Sequence, residues 1–335
     1  MRLLDLIAQG RSARIGAGEG VELPGALRFS GALQTCPLRY VLSDELARCA
    51  TLLAFAEGDR LSACLDLIRV PAQSLWVEWA DSPRRETLRT IPALRIQEDA
   101  PPARHGGALI TAALDGRAGL IRTFWSDADE LAYLSPMVTR FDLDRRPSPC
   151  SSDPTLWRAE TSLNLPGEPA IEELLHHLCF NLDEDWARYY SARCDTEELR
   201  SAVRRNTLGG CAFDTPMLLG FFLLLSARDL LPRETIRHER LNRIRKLGGK
   251  PPLLEHMELS APIDRAPIQG WRTAGESTRL SPRLHHVRGH IVRRGASVFW
   301  RSPHLRGSAR LGQVRSRTVL LRFDSADATP AHASQ

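Results

Sequence analysis

The spacing of apolar residues changes along the chain and predicts different structures in successive regions. Between residues 42 and 55, apolar side chains recur at three- and four-residue steps, which predicts a helix. Ser43 or Asp44 precedes the first of these apolar positions. Their side-chain oxygens can accept hydrogen bonds from the free amide groups of the first turn. We therefore expect a helix that begins at this pair and ends near Phe55.

From residue 63 to residue 143 the pattern shortens to β-rich runs separated by Pro, Gly and Asp. The predicted strands are Cys64–Val70, Leu75–Ala80, Thr87–Ile96, Ala108–Leu114, Ala118–Trp125 and Met137–Leu143. Asp115 and Gly116 separate two of these runs and predict a hairpin with a type I′ turn, which needs positive φ angles. Trp76 and Trp79 lie within a predicted strand and are expected to be core residues. An antiparallel sheet with one or two helices is the predicted outcome.

Pro and Ser are concentrated in residues 145–153, which predicts a linker and a boundary near residue 150. Beyond it the apolar spacing becomes helical, and an apolar run at Met217–Leu225 predicts a buried helix with Pro216 in its first position. This run is about half the length that crosses a bilayer, so no membrane interaction is expected. The middle of the chain is therefore predicted to be a helical domain.

Residues 234–249 predict a helix that is apolar on one side and basic on the other. Its apolar positions are Ile236, Leu241, Ile244 and Leu247, and its basic positions are Arg237, Arg240, Arg243 and Lys246, with Gly248 at the carboxyl end. A β-rich module and a disordered tail are expected to follow. The predicted fold is α+β, with an antiparallel domain at 1–150, a helical domain at 151–231, a basic helix and β-module at 232–325, and a tail at 326–335.

Charge is distributed unevenly between the two ends of the chain. Residues 231–335 hold 20 Lys and Arg against 8 Asp and Glu, a net charge of +12, whereas residues 1–230 have a net charge of −7. Arg and Lys bind polyanions by neutralising phosphates and releasing their counterions. Nucleic acid is therefore the expected partner. The alternative is that the acidic and basic parts of the chain neutralise each other.

Seven cysteines stand far apart with no C-x-x-C pair, which argues against a zinc ribbon or a disulfide framework. A reducing cytoplasm is the location that fits this pattern. The phosphate-loop, dinucleotide, metalloprotease and nucleophile-elbow motifs are missing from the sequence. We therefore predict neither a metal nor a cofactor.

The densest group of reactive side chains lies in the segment RLHHVRGHIVRR, residues 283–294. If this segment is one strand, alternation places His286, Arg288 and His290 on the same face. Arginine can bind phosphate through two hydrogen bonds, and an aromatic ring can stack on an unpaired base. The predicted nucleic-acid-binding residues are Arg237, Arg240, Arg243, Arg288, Arg293, Arg294, Trp300, Arg301, His304 and Arg306.

Three interpretations of the histidines compete. A zinc site with His304 is disfavoured, because His286 and His290 would lie about 13 Å apart on a strand. A metal-independent ribonuclease could use the two imidazoles as acid and base and Arg288 to stabilise the transition state. In the third interpretation, all of them belong to a binding or packing surface without catalysis.

The pattern R-L-H-x-V-R-G-H at residues 283–290, followed by W-x-x-P-H-x-R-G at residues 300–307, resembles the carboxyl-terminal segment of a family of uncharacterised phage and prophage proteins. The resemblance implies a phage or mobile-element setting and brings no activity with it. We expect a cytoplasmic nucleic-acid-binding protein. A ribonuclease and a factor that binds a host protein are the alternatives.

Overall fold

The computed structural model describes most of the first 145 residues and selected segments beyond them. The described residues are 1–11, 16–17, 21–22, 26–91, 103–145, 156–157, 174, 176–183, 186, 196, 213–227, 230–261, 283–287, 290–295, 297–301, 304–306 and 308–313. Most of the predicted linker and the whole predicted tail lie outside these residues.

The helices in these residues are α1 (Leu3–Ala8), α2 (Ser30–Thr35), α3 (Asp44–Phe55), α4 (Gly58–Ser62), α5 (Asp81–Arg89), α6 (residues 213–226) and α7 (Glu239–Leu247). The strands in the first half of the chain are β1 (Gly16–Ala17), β2 (Val21–Glu22), β3 (Leu38–Leu42), β4 (Ser74–Ala80), β5 (His105–Ala112), β6 (Ala118–Ser126) and β7 (Ala132–Asp142). Further along the chain are β8 (Leu156–Trp157), β9 (Leu178–Leu182), β10 (Arg233–Ile236), β11 (His256–Leu259), β12 (Arg283–Val287), β13 (His290–Arg294), β14 (Ser297–Arg301), β15 (His304–Arg306) and β16 (Ser308–Gln313).

A sheet of nine strands, in the order β10-β11-β3-β4-β5-β6-β7-β9-β8, is the largest element of the described structure. Together with the helices it confirms the α+β class. The sheet is mixed, however, because β3 runs parallel to both β4 and β11 while the other neighbouring pairs are antiparallel. The prediction of a purely antiparallel sheet was therefore wrong at β3. The chain passes from β3 to β4 through α3 and α4, and such a crossover is what parallel neighbours require.

The nine-stranded sheet takes strands from both sides of the predicted boundaries near residues 150 and 231. β9, β10 and β11 pair with strands of the first 142 residues, directly or through one another. By contacts the chain divides instead into one unit of Met1–Ile263 with Ile291–Phe299, and a second unit of Asp264–His290 with Trp300–Gln335. The described helical and basic segments up to residue 261 therefore belong to the same unit as the first strands.

Two tryptophans of β4 form part of the core of the first unit, as predicted. Trp76 and Trp79 are 0% and 1% exposed. Each ring lies against a glycine of β5, since a Cβ atom added at Gly107 would meet Trp76 at 2.5 Å, and one added at Gly106 would meet Trp79 at 2.5 Å. The Gly-Gly pair thus gives the indole rings the space that any side chain would fill.

The predicted cap of α3 is confirmed, and the predicted turn between β5 and β6 is confirmed in place but not in type. The hydroxyl of Ser43 accepts a hydrogen bond from the Leu46 amide at 3.2 Å, which confirms Ser43 as the amino-terminal cap of α3. The hairpin between β5 and β6 also forms, with Gly116 at φ +69°. Asp115 does not have a positive φ angle, so the type I′ prediction was wrong. The Gly116 amide donates instead to the Ala113 carbonyl at 2.9 Å.

Two predicted strands are not strands in the structure. Residues 87–89 belong to α5, where Asp81 accepts hydrogen bonds from Arg84 and Arg85 of the first turns at 2.5–3.0 Å. Charged pairs three and four residues apart stabilise a helix. They favour α5 over the strand that was predicted from the β-branched and apolar residues after Thr87. Within Cys64–Val70, residues 65–67 form a 3-10 turn. Most of the second half of the predicted strand Thr87–Ile96 lies outside the described residues.

Helix α6 contains the predicted helix Met217–Leu225 and is buried along most of its length. It approaches α3 closely at Gly220, where an added Cβ would meet the Ala50 carbonyl oxygen at 2.7 Å. An ion pair of 2.8 Å between Arg84 and Asp214 also joins the start of α6 to α5. The described part of the predicted helical domain thus packs directly on helices of the first domain.

The strands after residue 282 form two small sheets. β12 pairs with β15 in antiparallel orientation and with β16 in parallel orientation, which gives a three-stranded sheet in the order β15-β12-β16. β13 and β14 form a separate two-stranded sheet. The segment 283–294 is therefore divided between two sheets.

Two glycine substitutions with opposite expected signs test the packing of α6 on α3. Gly220→Ala should lower the free energy of unfolding by about 1–3 kcal/mol, because the new methyl group would overlap the backbone of Ala50. Gly31→Ala in α2 meets nothing within 4 Å and should raise it by about 0.5–1 kcal/mol. Urea denaturation of both variants measures the two changes. Equal stability of Gly220→Ala and wild type would contradict the close approach.

Candidate functional site

The histidine cluster predicted from sequence does not lie on one strand. β12 ends at Val287, β13 begins at His290, and the two strands belong to different sheets, while Arg288 lies outside the described residues. The alternation that placed His286, Arg288 and His290 on one face requires an uninterrupted strand. That premise was wrong, and the structural argument for a ribonuclease at these three residues is lost.

The remaining predicted binding residues of this region are distributed over three strands. Trp300 and Arg301 end β14, and His304 and Arg306 bound β15. Arg306 and Arg294 are exposed. Arg293 is already engaged, because its guanidinium group binds Asp66 at 2.7 and 2.8 Å and the Ala63 carbonyl at 2.7 Å.

Helix α7 is held to the first unit through its polar side. The Asn242 side chain donates to the Leu253 carbonyl at 2.9 Å and accepts from the Leu253 amide at 2.7 Å. One turn later, Arg245 donates to the Pro251 carbonyl at 2.8 Å. The predicted helix 234–249 was wrong at its start, because residues 233–236 form strand β10 beside β11 and α7 begins at Glu239. The helix ends at Gly248 as predicted, and Gly249 follows with φ +66°. These contacts fix which side of the helix faces the protein.

The sides of α7 that do not carry Asn242 and Arg245 face solvent. None of its residues is buried, and Leu241, Ile244 and Leu247 are 46%, 58% and 87% exposed. Six cations of α7 and the segments on either side of it are also exposed, and we call them the basic surface: Arg233, Arg237, Arg240, Arg243, Lys246 and Lys250. In the described part of the chain, only Arg237 of these six forms an ion pair, with Glu255 at 3.4 Å.

A buried carboxylate positions the amino-terminal helix next to this region. Glu78 of β4 is fully buried and accepts hydrogen bonds from the Leu3 and Leu4 amides at 2.9 and 3.0 Å. The carboxylate therefore caps α1 by satisfying two of its free amide groups. Burial raises the pKa of Glu78, although the two amide hydrogen bonds oppose the rise. With α1 held in this way, Arg2 and Asp5 reach the segments around α7.

These elements line a cavity of about 340 Å³ that is open to solvent. Residues from α1, β10, α7, β11 and the connections between them form its walls: Met1, Arg2, Asp5, Ile236, His238, Arg245, Leu253, His256 and Glu258. Arg2 forms an ion pair with Glu258. The rings of His238 and His256 lie with their centroids 5.5 Å apart. The cavity therefore combines apolar walls with two carboxylates, two guanidinium groups and two imidazoles.

Burial shifts the pKa of two of these groups. It raises the pKa of Asp5, whose Oδ1 accepts from the Leu254 amide at 3.0 Å. It lowers the pKa of His256, which is 3% exposed, and thus favours the neutral imidazole. The Nδ1 atom of that ring lies 3.2 Å from the Leu254 carbonyl, to which it can only donate. In the neutral ring Nε2 is then an acceptor, and none of the described residues donates a hydrogen bond to it.

The sequence analysis recognised the basic positions of α7 but missed the cavity. Its lining residues come from the first five positions and from residues 236–258, and nothing in the sequence relates these two segments. One local signal was present, because His256 and Glu258 alternate along β11 and so share one face. This alternation identifies two polar residues on one face of β11, but it does not indicate that residues 1–5 form the other wall of the cavity.

No group of three or more His, Cys, Asp or Glu side chains that could hold a metal ion occurs within the described ranges. None of the helices described is sufficiently long and apolar to span a membrane. Comparison with family models, with curated proteins and with solved structures found no match.

The lowered pKa of His256 predicts a pH effect on stability. Below a pH of about 6.5 the unfolded chain protonates this residue while the folded protein keeps it neutral, so stability is lost as the pH falls. Asp5, whose pKa is raised, changes the free energy of unfolding with the opposite sign, and it does so in wild type and in a His256→Gln variant alike. Wild type should therefore lose more free energy of unfolding between pH 8 and pH 5.5 than His256→Gln. Urea denaturation at both pH values measures this difference, and an equal loss would contradict the assignment.

Proposed function

We propose that the chain binds nucleic acid through the basic surface. The observation that carries the proposal is the concentration of seven basic residues against two acidic ones in residues 233–250, where six of the seven are exposed. Exposed cations that lack carboxylate partners remain available to phosphates, and their counterions are released when a polyanion binds. Arg237, Arg240 and Arg243 of the predicted binding residues belong to this surface.

The ion pair of Arg237 does not remove that residue from the surface. Arg237 and Glu255 are 63% and 53% exposed, and ion pairs with such exposure contribute about 0–1 kcal/mol. A phosphate can therefore replace Glu255 at little cost. Arg293 differs, because its guanidinium group holds both oxygens of Asp66 and a backbone carbonyl. We leave Arg293 out of the proposed interface.

Single-stranded or structured nucleic acid is the proposed ligand, and the charge argument applies to RNA and DNA alike. The phage or mobile-element setting rests on the resemblance of residues 283–307, and it stays a prediction together with the cytoplasmic location. The basic surface contributes the phosphate contacts, which position a strand without reading its sequence.

A second candidate is the binding of a host protein, which the exposed apolar residues of α7 favour. Leu241, Ile244 and Leu247 lie on one side of the helix, where a partner could cover them. Phosphate contacts need none of these three residues. Leu241→Ser with Ile244→Ser should therefore leave nucleic-acid binding within about twofold of wild type, while it should abolish capture of a protein partner that uses this side.

Removing three charges from α7 tests the proposal. The variant Arg240→Gln, Arg243→Gln, Lys246→Gln should bind a single-stranded oligonucleotide more weakly. The slope of log affinity against log salt should fall by about two, because each lost phosphate contact contributes roughly 0.7. Fluorescence anisotropy over a series of salt concentrations measures the slope.

The matched control removes three exposed arginines elsewhere, through Arg60→Gln, Arg89→Gln and Arg140→Gln. It has the same net charge as the α7 variant and should keep the wild-type slope. A wild-type affinity that does not change with salt would overturn the proposal. Equal slopes for the control and the α7 variant would show that binding depends on net charge and not on the basic surface.

A further inference from the structure

The cavity described above shares helix α7 and strand β10 with the basic surface. Arg245 of α7 and Ile236 of β10 contribute to its walls, and none of the six cations of the basic surface does. Arg240, Arg243 and Lys246 belong to the same helix as Arg245. A strand that follows these cations would therefore have the cavity within reach. At about 340 Å³ the cavity is within the size range of small-molecule sites, roughly 300–1,000 Å³.

We infer that this cavity receives one unpaired nucleobase of the bound strand. The inference rests on the proposed function and narrows its ligand to a strand with unstacked bases, since a base inside a duplex is not available to a pocket. A phosphate contact on α7 and a base in the cavity would then belong to the same nucleotide or to neighbouring ones.

The walls of the cavity match the flat faces of a base. Ile236 and Leu253 contribute apolar side chains, and His238 contributes an aromatic ring, whereas the ring of His256 is buried and offers no face to a base. The two rings are inclined at 41°, so they do not stack on each other. Aromatic and apolar side chains bind the faces of unpaired bases by stacking, and this contact accepts every base because each one has a π face.

The polar groups of the cavity match the edge of a base. Asp5 uses only Oδ1 in a hydrogen bond with a described residue, so Oδ2 can accept from a base N–H. Arg245 uses only Nε in the described structure and keeps four N–H donors for ring nitrogens and carbonyl oxygens. The Nε2 atoms of His238 and His256 have no hydrogen-bond partner among the described residues, although His256 Nε2 lies 3.8 Å from Glu258 Oε1. Buried polar atoms without partners are uncommon in proteins and are expected where a ligand completes the hydrogen bonding.

The charges of the cavity argue against a phosphate as its occupant. Asp5 and Glu258 line it, and Glu258 already occupies the guanidinium group of Arg2. A phosphodiester anion of the strand would meet these two carboxylates, and of the two guanidinium groups in the cavity only that of Arg245 would be left to bind it. A neutral base avoids this repulsion, while its phosphate stays with the exposed cations of α7.

The experiment compares a single-stranded oligonucleotide with an abasic oligomer of the same length, whose phosphates are the same but whose bases are missing. Wild type should bind the intact strand at least about tenfold more tightly, because stacking of one base is lost in the abasic oligomer. Ile236→Trp places an indole ring in the cavity and should reduce this preference to less than about threefold. It should leave the affinity for the abasic oligomer unchanged.

Thr235→Trp is the matched control, because Thr235 is exposed and neighbouring residues of a strand point to opposite faces. This variant should keep the wild-type preference. If Ile236→Trp does not fold, Leu253→Trp fills the same cavity from a segment outside the strands. Urea denaturation of each variant establishes that it is folded before binding is measured.

The outcomes separate the two proposals. If wild type binds intact and abasic oligomers equally and with a steep salt dependence, the cavity takes no base and the inference is overturned, while the proposed function holds. A preference for the intact strand that survives filling of the cavity also overturns the inference. If neither oligomer binds, the proposed function fails and the inference fails with it.

Discussion

The orientation of α7 depends on the hydrogen bonds that Asn242 and Arg245 make to residues 251–253. The side-chain amide of Asn242 donates to the Leu253 carbonyl and accepts from the Leu253 amide, as a backbone peptide group does in a strand pair. These two hydrogen bonds join the helix to the segment that leads into β11. A helix of this composition would ordinarily bury its apolar stripe. Here the Asn242 and Arg245 side faces the protein, and Leu241, Ile244 and the basic residues are left in solvent. The surface proposed for nucleic acid exists because of this orientation.

A second constraint, the buried carboxylate of Glu78, completes the region from the opposite end of the chain. It fixes α1 through two amide groups, and α1 in turn carries Arg2 and Asp5 to the cavity. An isolated buried carboxylate is costly, so its two backbone hydrogen bonds and the contact of 3.3 Å from the Trp76 indole are needed to hold it. The core of the sheet and the candidate site are thus connected by a short series of hydrogen bonds.

Sequence reasoning succeeded where a few neighbouring residues decide the structure. Ser43 caps α3, Gly116 turns the hairpin, and the apolar run after Pro216 forms a buried helix, since each depends on local chemistry. It failed at α5, where the pairing of Asp81 with two arginines outweighed a β-like pattern. It could not predict the pairing of β3 with β11 or the cavity, because both depend on residues more than two hundred positions apart. The spacing of residues predicted the basic and the apolar positions of α7, but it did not predict that Leu241, Ile244 and Leu247 would be exposed.

Hydrogen–deuterium exchange with and without a single-stranded oligonucleotide tests the central claim most directly, because it locates the bound strand without any substitution. At saturating oligonucleotide, the amides of residues 233–258 should exchange more slowly than in the free protein, and those of α3 and α5 should be unchanged. Slower exchange confined to segments outside residues 233–258, at an occupancy shown to be complete, would contradict the assignment of the interface to α7.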